Sequence, residues 1–129
     1  MLVLGLVGTE TELLLLEHYE EPWQFVPLVL IALAIAVLAW HTRRRDRVSL
    51  RSLQVVMVFF LVAGFVGLGL HFRGAAEFQL EINPAMSRWE LVNKAMRAKA
   101  PPVLAPGIML QMGLLGLAYA AASQRGETA

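Results

Sequence analysis

Three stretches of the chain carry no Asp, Glu, Lys or Arg: residues 22–42, 52–72 and 100–124. Each matches the roughly 20 residues that a helix needs to cross about 30 Å of hydrocarbon. The first two flank a short basic stretch that holds Arg43, Arg44, Arg45, Arg47 and Arg51, five of the eleven Lys and Arg residues. The pattern predicts spans over residues 22–41, 53–72 and 103–122, a basic turn over 42–52 and a polar tail over 123–129. Trp23 and Trp40 bracket the first span. Their spacing corresponds to about 25 Å of helix, which suits one aromatic anchor at each membrane interface.

Residues 1–8 are apolar but too short to cross a bilayer. They are expected to form a strand, an extended arm or a tail lying in the interface. Thr9 and Glu12 fit a capping box, so a helix is expected to start there and to continue into the acidic stretch around Glu17, Glu20 and Glu21. No cation precedes the first apolar run and Glu10 interrupts it early, which argues against a cleaved signal peptide. Residues 1–21 therefore read as a retained segment built around an acidic interfacial helix.

Residues 73–102 form the second extramembrane segment. Residues 77–82 alternate, with Phe78, Leu80 and Ile82 on one face of an extended segment. A lone strand leaves its backbone groups unpaired. Its expected partner is either residues 2–7 or a sheet on another chain, and the alternative is an extended loop resting on the bilayer. Asn83 and Pro84 end the segment, and Ser87 and Glu90 form a second capping-box match. The helix that follows places Trp89, Val92 and Met96 on one face, with Arg88, Lys94 and Arg97 mostly on others. Such a basic amphipathic helix suits a membrane surface.

The fold class expected is thus an all-α integral membrane protein: three transmembrane helices under a small cap of acidic helix, extended segment and basic helix. The opposite charges of the two helices suggest that Glu17, Glu20 or Glu21 pairs with Arg88, Lys94 or Arg97. The basic turn favours a cell-membrane topology with residues 42–52 and the C-terminus in the cytoplasm and the N-terminus outside. The inverted topology, which sets the basic amphipathic helix on an anionic cytoplasmic leaflet, is the alternative.

Composition agrees with this class. The chain is 57% hydrophobic and only 16% charged, against about 25% charged in ordinary soluble domains. A net charge of +1 gives no basic field for nucleic acid. The absence of Cys removes disulfides, thiolate metal sites and cysteine catalysis.

Little catalytic chemistry is visible. There is no Ser/His/Asp arrangement and no phosphate loop, and no predicted span holds Asp, Glu, Lys or Arg, groups that pumps and proton-coupled carriers usually bury in the membrane. The chain therefore reads as a non-enzymatic subunit that packs into a larger membrane complex or a homo-oligomer, with lipids and other membrane subunits as partners and no required cofactor. Phe78, Leu80 and Ile82 are the expected interaction residues, together with the small residues Ala63, Gly67, Gly113 and Gly116, which permit close helix approach. A second reading is a metal or cofactor site on the outer face, with His18, Glu21 and His71 as ligands. A third is an oligomeric channel for a small solute with Gln111 in its lumen. His41, beside three arginines, reads as a solvated loop residue.

Overall fold

In a computed structural model the described residues are 1–15, 22–97 and 104–127, and every element among them is helical. The chain runs through α1 (Leu2–Leu15), a 3₁₀ turn (Pro22–Gln24), α2 (Phe25–Arg44), α3 (Arg47–Ile82), α4 (Arg88–Met96) and α5 (Leu104–Glu127). The segments Pro22–Arg44, Arg47–Ile82 and Pro106–Gln124 are long and apolar enough to cross a membrane.

α1 begins at Leu2, eight residues before the first helical position, Glu10, that its capping box suggests. Leu2, Leu6, Glu10 and Leu13 recur at helical spacing and form one stripe, so the apolar start continues straight through the threonines. Thr9 is no cap: its hydroxyl donates to Gly5 O at 2.8 Å, and that of Thr11 donates to Val7 O at 2.8 Å. Both bond back to the preceding turn, as hydroxyls inside helices do. At 14 residues, about 21 Å long, α1 packs laterally on α2 and α5.

Pro27 lies in the first turn of α2, where a missing N–H breaks no helical bond. The basic turn narrows to Arg45 and Asp46, because helix occupies both of its flanks. Arg45 closes α2 in the left-handed conformation, φ 49° and ψ 35°, its N–H donating to His41 O at 2.8 Å. Asp46 opens α3 by accepting from the Ser49 N–H at 2.7 Å.

α3 is the centre of the molecule and packs on α2, α4 and α5. Its face of Leu53, Val56, Met57 and Phe60 joins Leu28, Ile31, Ala34 and Leu38 of α2, Met109 and Met112 of α5, and Leu6 and Leu13 of α1 in one apolar core. Glycines bring α3 and α5 together. A Cβ on Gly64 would lie 2.7 Å from Leu110 Cγ and 3.0 Å from Pro106 O, and one on Gly113 would lie 3.0 Å from Met57 O. Only hydrogen in place of a side chain permits that approach. The opposite face of α3, including Val55, Phe59, Val62, Val66 and Leu70, is exposed.

The main departure from the sequence reading concerns residues 77–82, which are helix and not an extended segment. They complete α3, a helix of 36 residues, about 54 Å long. Extending an existing helix costs less than starting an isolated strand. Residues 2–7 cannot pair with them because they lie in α1. Gln79, Leu80 and Glu81 are good helix formers, and Arg73 and Glu77 make an i,i+4 ion pair at 2.7 Å. The stop at Asn83 and the Ser87 cap occur as expected: Ser87 Oγ accepts from the Glu90 N–H at 3.3 Å. α4 then folds back on α3, with Ala95 fully buried, so the end of α3 and α4 form a helical hairpin.

Candidate functional site

The polar and exposed chemistry of the described residues gathers at the two ends of the bundle. At the basic end, His41 is only 4% exposed and Ser49 is fully buried. Ser49 Oγ donates to Asp46 O at 2.9 Å and lies 3.0 Å from His41 Nδ1. With the hydroxyl proton directed at Asp46 O, Nδ1 is the donor to Ser49. The His41 ring meets Tyr119 of α5 edge-on at 6.0 Å. This clasp ties the end of α2, the start of α3 and the far part of α5 together. Asp46 is not bonded to His41. Its carboxylate accepts from the Ser49 backbone, which holds its pKa below the ordinary aspartate value. The group is a buried structural joint without an accessible nucleophile.

His41 is therefore not the solvated residue that the neighbouring arginines suggest. The clue in the sequence is its position four residues before Arg45, inside the final turn of a helix whose buried stripe already runs through Ala34 and Leu38.

At the other end the helical hairpin presents apolar side chains outward. Phe78 is 60% exposed, Ile82 65% and Trp89 78%, with Val92 and Met96 also exposed. Phe78 and Ile82 are one turn apart and share a face of α3, whereas Leu80 points elsewhere on the helix. Between the two helices runs a shallow groove of about 330 Å³ lined by Gln79, Glu90, Asn93, Lys94 and Arg97. Lys94 pairs with Glu90 at 3.0 Å across one helical turn. Only polar and charged residues line the groove, and Phe78, Ile82, Trp89, Val92 and Met96 are not among them.

The other sequence-selected residues are distributed as follows. His18 and Glu21, with Glu17 and Glu20, lie outside the described residues. His71 is exposed near the hairpin end of α3 and already engages a neighbour. Among the described residues no three His, Asp or Glu side chains converge as metal ligands. Gln111 is on the exposed side of α5. Gly67 faces Pro106, where a Cβ would lie 3.4 Å from the ring, while Gly113 and Gly116 receive the side chains of Leu61 and Met57. These three small residues meet neighbours within the chain. The chain matches no family model, no curated protein and no solved structure.

Proposed function

We propose that this chain is a small, non-catalytic integral membrane subunit that packs into a larger membrane assembly through its helical hairpin. In this reading the hairpin stands outside a cell membrane and the Arg45–Asp46 corner lies on the cytoplasmic side, where Lys and Arg are favoured. One observation carries the reading. α3 is about 54 Å long, far more than about 30 Å of hydrocarbon requires. Its uncharged stretch ends at residue 72, so the remaining turns stand clear of the lipid. There Phe78 and Ile82, with Trp89, Val92 and Met96 of α4, remain exposed. Large apolar side chains that lipid does not cover mark a protein contact, and aromatic anchors such as Trp89 and Phe78 carry most of the energy in such contacts.

The experiment is a comparison of native-membrane isolates of the tagged chain and a Phe78→Ser/Trp89→Ser variant. The wild-type chain is expected to bring stoichiometric partner chains, and the variant to lose them while remaining membrane-bound and helical. Equal recovery of partners with both forms would remove the hairpin from the contact. A metal role for His18, Glu21 and His71 would instead show as stoichiometric metal in the same isolate. A channel role for Gln111 would show as liposome flux abolished by Gln111→Leu.

A further inference from the structure

Glu10 lies on the packed stripe of α1, one turn after the fully buried Leu6 and one turn before the buried Leu13. That stripe faces α2 and α5. Gly5, five residues earlier, lies so near Met112 that a Cβ there would sit 2.7 Å from its sulfur. Glu10 is half-buried as a residue, and of its two carboxyl oxygens Oε2 is sealed from solvent and has no hydrogen-bond partner among the described residues.

The facing helices offer nothing to neutralise an ionised carboxylate. Residues 25–40 of α2 and 104–118 of α5 contain no titratable side chain. The next groups along them, His41 and Tyr119, meet each other at the basic end, beside Arg43 and Arg44 of α2. α1 itself brings only the exposed Glu12 and the amino group of Met1. The hydroxyls of Thr9 and Thr11 donate to backbone carbonyls, so their protons are committed elsewhere. A sealed oxygen without a donor disfavours the charged form. Burial accordingly raises the Glu10 carboxyl above the ordinary glutamate range.

We propose that Glu10 is a proton-binding site: it is a neutral carboxylic acid while α1 is docked on α2 and α5, and it gives up its proton as α1 lifts away. Because the docked carboxyl holds its proton more tightly than the free one, docking is favoured below the ordinary glutamate pKa. The preference is lost as pH rises through that value towards the raised one. The site concerns contacts within one chain and is independent of the subunit reading.

The test treats the full chain in mild detergent with dicyclohexylcarbodiimide, an apolar reagent for carboxylic acids. The acid proton moves to a carbodiimide nitrogen while the carboxyl oxygen bonds to the central carbon. The O-acylisourea so formed rearranges to a stable N-acylurea. At about pH 7, above the ordinary carboxylate range, peptide mass spectrometry is expected to place the adduct on Glu10 and not on the exposed Glu12, Glu77 or Glu90. Glu10→Gln is expected to abolish it. No adduct at Glu10, or equal labelling of Glu12, overturns the proposal.

A second measurement does not depend on carbodiimide access. The chain has no Cys, so Leu6→Cys places a single thiol on the buried stripe. Its maleimide labelling rate, divided by the rate in the Leu6→Cys/Glu10→Gln chain, is expected to rise severalfold between about pH 4 and about pH 9. A flat ratio overturns the proposal.

Discussion

Ser49 donates its hydroxyl proton to Asp46 O and accepts from His41 Nδ1, and both the Ser49 and the His41 side chains are buried. Ser49→Ala leaves the His41 ring nitrogen buried without an acceptor. It is expected to destabilise the bundle by about 1–3 kcal/mol, measured by denaturant titration in mild detergent. Ser49→Ala/His41→Leu removes both partners and is expected to recover part of that loss, a coupling that a double-mutant cycle reads directly. Neighbouring Asp46 adds a pH signature. Its carboxyl is held below its ordinary value of 3.8 chiefly by the Ser49 backbone N–H. Its contribution is therefore present above that value and lost as pH falls through the depressed one. Asp46→Asn is expected to flatten that acid limb. The arginines around His41 suggest solvent because local charge is what a sequence displays. The burial comes from Ser49, eight residues on, and from Tyr119 on another helix, and neither contact has a local signature.

Among the helices, the α3–α5 seam sets what each glycine tolerates. Gly64→Ala and Gly113→Ala would gain about 1 kcal/mol of helix propensity. Their Cβ atoms would also press on backbone oxygens at 3.0 Å, and overpacking of this kind costs about 1–3 kcal/mol. The net expected effect is destabilisation. Gly69→Ala meets nothing within 4 Å and is expected to be neutral or stabilising. The same unfolding assay compares all three, and a Gly64→Ala chain as stable as Gly69→Ala would contradict the seam.

Residues 77–82 offer a second test at this scale. Slow amide exchange there, continuous with residues 73–76, is expected of one long helix, whereas fast exchange would mark an extended loop. Three long apolar helices, the stop at Asn83 and the Ser87 cap were legible because a bare apolar run and a local cap need no tertiary information. The alternation over 77–82 misleads because six residues fit a period of two by chance, while helix continuation and the absence of a pairing strand among the described residues decide the outcome. The Thr9 capping box fails for a related reason: the apolar residues before it already share the helical stripe.

The whole molecule is a three-helix bundle with α1 laid against its side and a helical hairpin standing beyond one end. Three apolar runs and one basic break were sufficient to anticipate the long helices. They did not reveal that Gly64, Gly67, Gly113 and Gly116 would pack against side chains of the same chain, and under the proposed function the partner surface is the hairpin. Of the sequence-selected interaction residues, Phe78 and Ile82 stand on that surface, and Trp89 joins them from the amphipathic face of α4.

The measurement closest to the central claim is the intact mass of the tagged chain released from its native membrane in mild detergent, with bound metal read on the same sample. A discrete assembly with stoichiometric partner chains and no stoichiometric metal is the predicted result. A bare monomer, with or without a bound metal, would contradict it.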